Sequence, residues 1–210
     1  MGRRIVVRVK ICGITNSEDA SQAVALGADA LGFIFAPSPR RIRPEEARRI
    51  IAALPPFVIP VGVFVNEEPH TIMEVATTCG LGLVQLHGDE SAAACAELMP
   101  RTVKAFRIKK DYSLNTIKPY VGNVRALLFD TYSEKLRGGT GRTFDWSVAA
   151  EGKKLGVPLI LSGGLSPANI AEAITAVRPH AVDVNSGIEE RPGKKDHRLM
   201  GALMKAIRDT

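Results

Sequence analysis

The chain has 210 residues, of which 45% are hydrophobic and 24% are charged, and its formal net charge at pH 7 is +6. This composition is typical of one soluble globular domain, which we predict to span residues 1–210. No run approaches the roughly 20 apolar residues of a membrane span, and Arg8 and Lys10 interrupt the first apolar run, unlike a signal peptide. Three cysteines without CxxC spacing predict no disulfide framework or zinc knuckle, so we expect a cytoplasmic protein.

The positive charge is dispersed, and only seven Phe, three Tyr and one Trp are available for stacking on bases. We therefore expect no nucleic-acid partner and no membrane contact. Two explanations of the charge stay open, a solvated basic surface and the attraction of a small anionic substrate.

The first half of the chain alternates short apolar runs with helical patterns. Strands are predicted, in chain order, at Val6–Ile11, Ala30–Phe35, Ile59–Val65 and Leu83–Leu86. The helices after them are predicted over Ser17–Leu26, from Pro44 to Pro55-Pro56, from Asn66 to Gly80 and over Glu90–Leu98. Thr15 and Glu18 are spaced as a capping box, Gly27 is the first helix's stop signal, Pro44 suits a first turn and Asn66 suits an N-cap.

The second half repeats this alternation. Strands are predicted at Val103–Ile108, Arg125–Phe129, Val157–Leu161 and Ala181–Val184. Helices are predicted within Ser113–Tyr120, where the pattern is weak, over Trp146–Leu155 after an Asp145 cap, from Pro167 onward and over Asp196–Arg208. Gly139-Thr140-Gly141 lies in a Gly-rich loop and lacks both the third glycine and the preceding strand of a dinucleotide-binding motif.

Eight nearly continuous apolar strands, each followed by a helix-like segment, predict the α/β class and a single (β/α)8 TIM barrel. An open doubly wound sheet is the alternative. In a barrel the active site lies on the loops after the strands. The polar residues predicted there are Cys12, Arg40, Asn66, His87, Asp130, Gly163, Gly164, Asn185, Ser186 and Gly187.

Two of these loops are suited to phosphate. Gly163-Gly164 and Asn185-Ser186-Gly187 follow neighbouring strands, and glycine lets backbone N–H groups approach an anion closely. Turn glycine is the alternative for either segment alone. Because both occur together, we predict a phosphate site.

Other side chains at this end are candidates for chemistry. Burial at the barrel mouth would raise the pKa of Asp130 and suit it to acid catalysis, although a cap or loop ion pair is an equal alternative. Lys10 precedes Cys12 by two residues, so both side chains share a strand face, and a nearby cation favours the thiolate. Arg40 is suited to a carboxylate, and His87 is either a ligand contact or a structural loop histidine.

The sequence resembles the phosphoribosylanthranilate isomerases of tryptophan biosynthesis along nearly its whole length. The matching segments are 9–13, 32–35 with 38–40, 61–65, 85–88, 138–141 with 144–146, 161–165, 182–189 and 193–196. The resemblance implies an Amadori rearrangement of N-(5-phosphoribosyl)anthranilate, a small anionic phosphosugar. Asn185 and Arg41 depart from residues that are common in the family, serine and an aromatic residue, which concerns local substrate contacts only.

The resemblance also implies residue roles. It assigns ring opening to Asp130 as the general acid and proton removal to Cys12 as the general base. It assigns the anthranilate carboxylate to Arg40 and the phosphate to Gly163-Gly164 and Ser186-Gly187. No cofactor and no metal are implied, and a monomer or a homodimer fits equally. A histidine-pathway aminoaldose isomerase, whose pattern has two aspartates, and a non-catalytic barrel that binds phosphorylated ligands are the alternatives.

Overall fold

The computed structural model describes residues 6–109, 112–130 and 146–210. Eight parallel strands form a closed barrel in chain order. They are β1 Arg8–Ile11, β2 Ala30–Ile34, β3 Ile59–Phe64, β4 Leu83–Leu86, β5 Thr102–Arg107, β6 Ala126–Asp130, β7 Leu159–Ser162 and β8 Ala181–Val184. The ring closes where β1 pairs with β8, in a register that places Lys10 opposite Asp183. The predicted barrel is confirmed, and the open-sheet alternative is wrong.

Helices follow the strands. They are α1 Ser17–Ala25, α2 Pro44–Ala52, α3 Pro69–Cys79, α4 Ala92–Glu97, α5 Ser147–Gly152, α6 Ile170–Val177 and α7 His197–Arg208. After β8 the chain also makes an antiparallel hairpin of β9 Glu189–Arg191 and β10 Lys194–Lys195. None of the helices within the described ranges is both long enough and apolar enough to cross a membrane.

Two predicted helix caps are wrong because their side chains bind loops distant in the sequence. The first helix is capped by Asn16, whose side chain accepts from Asp19 N–H, whereas the Thr15 hydroxyl donates to the Gly193 carbonyl instead. Asn66 does not cap α3, because its amide oxygen accepts from Asp89 N–H.

Other boundaries also differ from the prediction. The fourth helix begins after a Ser91 cap, so Glu90 lies outside it, and the sixth begins at Ile170 rather than Pro167. The weak pattern in 113–120 is two 3-10 turns, Leu114–Thr116 and Lys118–Tyr120. The predicted Asp145 cap and the Gly-rich loop lie outside the described residues.

The strands divide their side chains between two layers. Outward-facing apolar residues pack under the helices and form the main core. The barrel interior holds a small apolar cluster of Val103, Ala105, Ala126 and Leu128. Beside β1 and β8 the interior is polar instead, because Lys10 and Asp183 are buried there as an ion pair. The barrel interior is therefore polar near β1 and β8, as the interior of a reaction site is.

Candidate active site

A cavity of about 400 Å³ opens at the carboxyl ends of the strands. It is lined by Cys12, Ile34, Arg40, Val63, Gln85, His87, Asp130, Ser162, Gly163, Gly164, Leu165, Asp183, Asn185, Ser186 and Gly187. All nine residues predicted to be catalytic or substrate-binding are among them. Asn66, the other polar residue predicted at this end, is absent from this lining because its side chain is tied to the Asp89 backbone.

Cys12 directly follows β1 and is only 5% exposed. Its N–H donates to the Val184 carbonyl of β8 at 2.9 Å, so the closing seam of the barrel fixes its backbone. Below it the Lys10 Nζ contacts Asp183 Oδ1 at 2.8 Å, and both side chains are almost completely buried. The thiol therefore lies next to a lysine whose charge is balanced by a carboxylate, and not next to a free cation.

Burial raises the pKa of the Cys12 thiol above its ordinary value. Lys10 opposes this rise by its charge and a hydrogen bond, whereas Asp183 adds to it. Lys10 thus favours the thiolate, as expected, but burial outweighs its effect. At neutral pH the thiol is mostly protonated, and it becomes a base only in the small ionised fraction.

Asp130 ends β6 and faces His87, with 3.5 Å between Asp130 Oδ2 and His87 Nε2. The other ring nitrogen of His87 lies 2.9 Å from the Gln85 side-chain nitrogen. With that nitrogen donating to Nδ1, the histidine proton is on Nε2 and points to the carboxylate. Gln85 itself is 1% exposed, and its oxygen has no hydrogen-bond partner within the described residues. His87 thus contacts the proposed acid rather than lying alone in its loop.

The two glycine loops after β7 and β8 come into direct contact. Gly163 and Gly164 have φ values of 95° and 63°, a conformation that favours glycine. A Cβ atom on Gly187 would lie 1.9 Å from the Leu165 carbonyl oxygen, so only glycine allows this backbone approach. Ser186 and Gly187 begin a 3-10 turn, and N–H groups at such a start have no partner within the turn. Both loops therefore contribute backbone N–H groups to the lining of the cavity, as an anion site requires.

Arg40 reaches the cavity from the loop after β2, and its guanidinium group forms an ion pair with Glu189. Its Nε and Nη2 atoms donate to the two carboxylate oxygens over 2.7–3.0 Å. Burial alone would raise the pKa of Glu189, but Arg40 and Lys195 outweigh burial and lower it. The neighbouring Arg41 is exposed.

Sequence reasoning missed the residues that support the predicted ones. Asp183, Gln85, Glu189 and Lys195 belong to matching segments, but no role was assigned to them. Asp183 and Gln85 carried a usable signal, because each is a polar residue inside an otherwise apolar strand. Glu189 and Lys195 carried no such signal, since charged residues are ordinary in a loop.

The family model for N-(5'phosphoribosyl)anthranilate (PRA) isomerase matches residues 9–206. The chain belongs to this family. It is an aldose–ketose isomerase of tryptophan biosynthesis, in agreement with the resemblance of its motifs. The N-(5'-phosphoribosyl)anthranilate isomerase of Geobacter sulfurreducens is 55% identical over 192 residues, which are 91% of this chain and 93% of that protein.

Solved structures of PRA isomerases agree with the fold. One is a complex with reduced 1-(o-carboxyphenylamino)-1-deoxyribulose 5-phosphate. It has a TM-score of 0.87 and 45% identity, and the match covers 98% of this chain and all of that one. Another contains monomers made from the dimeric enzyme of Thermotoga maritima. Its TM-score is 0.86 and its identity 43%, with the same coverage.

Proposed function

We propose that this cavity rearranges N-(5-phosphoribosyl)anthranilate to 1-(2-carboxyphenylamino)-1-deoxy-D-ribulose 5-phosphate with Cys12 as general base and Asp130 as general acid. One observation carries the assignment: a thiol and a carboxylate from β1 and β6 line the same cavity as the two glycine loops. The complex of a relative with a reduced form of this product supports the choice of substrate.

The reaction requires two proton transfers on different atoms. Asp130 protonates the furanose ring oxygen, the ring C–O bond breaks, and the nitrogen lone pair forms a protonated imine. Cys12, as thiolate, then removes the proton from the adjacent sugar carbon, and those electrons flow to the imine nitrogen to give an enolamine. Transfer of a proton to C1 and loss of the enol proton yield the ketone. Positioned acid–base groups of this kind contribute about 10²–10⁴-fold each.

Binding groups surround this pair on two sides. Backbone donors at Gly163-Gly164 and Ser186-Gly187 hold the phosphate, and Arg40 holds the anthranilate carboxylate. His87 and Asn185 line the space between these anchors. Because the two anchors are held by the fold, the substrate binds with its reacting carbons between the base and the acid.

The test is an assay in which phosphoribosylanthranilate is generated in situ and the loss of its fluorescence is followed. We expect rapid conversion by the wild-type protein, and Cys12→Ala and Asp130→Ala to lower kcat by roughly 10²–10⁴-fold. Cys79→Ala, at a buried thiol on α3 outside the cavity, is the matched control. Wild-type turnover in either active-site variant would remove that residue's assigned role.

The same assay with other substrates addresses the alternatives. A histidine-pathway aminoaldose isomerase would convert that pathway's aminoaldose, for which we expect no turnover. A barrel that binds phosphorylated ligands without catalysis would leave the fluorescence unchanged. We further propose that residues 1–210 act as one cytoplasmic domain without metal or cofactor, because the imine nitrogen accepts the electrons. Activity should survive dialysis against a chelator, and its loss would contradict this proposal.

We also propose a homodimer. The Thermotoga maritima relative is dimeric, and this chain exposes 93% of Phe57 and 42% of Ile59 just before and at the start of β3. Those residues lie at the end of the barrel opposite the cavity, so a second copy would cover them without closing the site. Light scattering after gel filtration should give a dimer for wild type and a monomer for Phe57→Ser, whereas Val121→Ser should remain dimeric. A monomeric wild type would refute this.

A further inference from the structure

The segment Gly193-Lys194-Lys195-Asp196 matches the family, but the proposed mechanism uses none of its residues. Lys194 and Lys195 form β10 of the hairpin that follows β8. Lys195 is completely buried, with an exposure of 0%. Its Nζ atom donates to Glu189 Oε1 at 2.9 Å, to Asn185 Oδ1 at 2.9 Å and to the Asn185 carbonyl at 3.4 Å.

We propose that Lys195 is a positioning residue for the part of the cavity wall around Arg40 and Glu189. It keeps this part positively charged and so selects a substrate carrying a carboxylate on its aromatic ring. It acts through Glu189 and Asn185, because its buried ammonium group donates hydrogen bonds to both side chains. The inference rests on the proposed function, because it concerns how that substrate's carboxylate is held.

The first support is the balance of charge. Arg40 and Glu189 alone form a bidentate pair with no net charge. Lys195 shares the same carboxylate, so the three groups together carry one positive charge. The neighbouring Lys10 and Asp183 cancel each other. Without Lys195 this part of the cavity wall would be electrically neutral, and in a partly buried site one charge makes a large difference to an anion.

The second support is the direction in which donors point. Glu189 occupies the Nε and Nη2 side of the Arg40 guanidinium, and among the described residues nothing binds Nη1, which is left for another acceptor. Lys195 donates to the Asn185 amide oxygen, which fixes the amide orientation and leaves its NH2 group as a donor. Arg40 and Asn185 both line the cavity. The buried lysine therefore orients two side chains on the cavity wall.

The third support is that stability does not account for a lysine at this position. Burial lowers the pKa of Lys195 below its ordinary value although Glu189 raises it, so the charge is held here at a cost. Replacing a buried ion pair by packed apolar residues is often neutral or stabilising. The charge of Lys195, kept despite burial, is better explained by its effect on a substrate anion in the cavity.

The experiment compares Lys195→Met with Lys194→Met in the fluorescence assay. Lys194 is the matched control, because it removes the same charge from the adjacent residue but pairs with Glu18 and Asp19 outside the cavity. We expect Lys195→Met to raise KM by about 10- to 100-fold with kcat within about threefold, and Lys194→Met to change neither. With N-(5-phosphoribosyl)aniline, which lacks the carboxylate, Lys195→Met and wild type should have the same KM.

Two further variants separate charge from structure. Lys195→Arg keeps the charge and should retain a KM within about threefold of wild type. Lys195→Met combined with Glu189→Gln restores the net charge and should recover most of the lost affinity. An equal loss on both substrates, or no recovery in the double variant, would overturn the inference. These outcomes leave the proposed function intact, since wild type and Lys194→Met test that independently.

Discussion

The Cys12 thiol lies where burial and the charge of Lys10 act in opposite directions on its pKa. Burial is the larger effect, so the pKa is raised and the thiolate is a small fraction at pH 7. The fraction of Cys12 that can act as a base therefore changes with pH throughout the neutral range.

We expect the rate of inactivation by iodoacetamide, which alkylates the Cys12 thiolate, to rise close to tenfold per pH unit between about pH 6.5 and 8.5, because each unit increases the thiolate fraction tenfold below a raised pKa. Cys79→Ser, which changes a thiol outside the cavity, should show the same profile as wild type. A profile that is flat or falls over this range would show that the base is not a largely protonated thiol.

Gly32 provides a second test of the thiol's environment. A Cβ atom at this position on β2 would lie 2.7 Å from Cys12 Sγ and 3.0 Å from Lys10 Cε. Gly32→Ala should displace the thiol and lower kcat at least tenfold, since small misplacements of a reacting group are costly. Gly201→Ala on α7, where a Cβ meets nothing within 4 Å, should keep full activity. A Gly32→Ala enzyme with unchanged kcat would contradict this account of the site.

At the scale of whole elements, prediction succeeded where one local pattern decided the outcome. The strands were found because parallel strands covered on both faces are continuous apolar runs, and Pro44 does open α2. Prediction failed where two polar residues compete for one role. Thr15 and Asn66 are good caps in isolation, but each is bound to a distant loop, which no local pattern reveals.

The residues of the candidate site also divide into those that a local pattern predicts and those that it does not. Residues at strand ends were found because barrel topology alone brings those ends together. The partners of those residues were not found, because the Arg40–Glu189 contact joins residues 149 positions apart. Such pairings depend on the three-dimensional register of the hairpin after β8.

The loops after β7 and β8 form one unit, because Gly187 contacts the Leu165 backbone. Gly187→Ala would place Cβ 1.9 Å from a carbonyl oxygen, so one loop must move. We expect inhibition by inorganic phosphate to weaken about tenfold or more and KM to rise in parallel, measured by competition in the fluorescence assay. Gly122→Ala is unsuitable as a control because its φ is 88°, so Gly201→Ala serves again. Unchanged phosphate inhibition would place the phosphate elsewhere.

For the whole molecule, buried carboxylates connect stability to pH. Burial alone would raise the pKa values of Asp19, Glu90 and Glu189. Hydrogen bonds and positive charges outweigh burial and lower these pKa values. Below their ordinary pKa values the unfolded chain then binds more protons than the native one. The stability they contribute is complete above about pH 5 and is lost as pH falls through their lowered values.

We expect the free energy of unfolding, measured with urea, to fall by about 1–3 kcal/mol between pH 7 and pH 4. Glu90→Gln removes the carboxylate that pairs with buried Lys104, so its fall over this range should be smaller. Glu97→Gln, on the exposed part of α4, should keep the wild-type slope. Equal slopes in all three proteins would show that Glu90 does not titrate with folding.

The seam between β1 and β8 has a consequence for biosynthesis. Cys12 and Lys10 leave the ribosome well before Val184 and Asp183, which hold them in place and are made more than 170 residues later. During most of translation the base therefore has no fixed position, and a nascent chain that ends before β8 has no assembled active site. Activity of ribosome-bound chains would appear abruptly with the emergence of the last barrel strand.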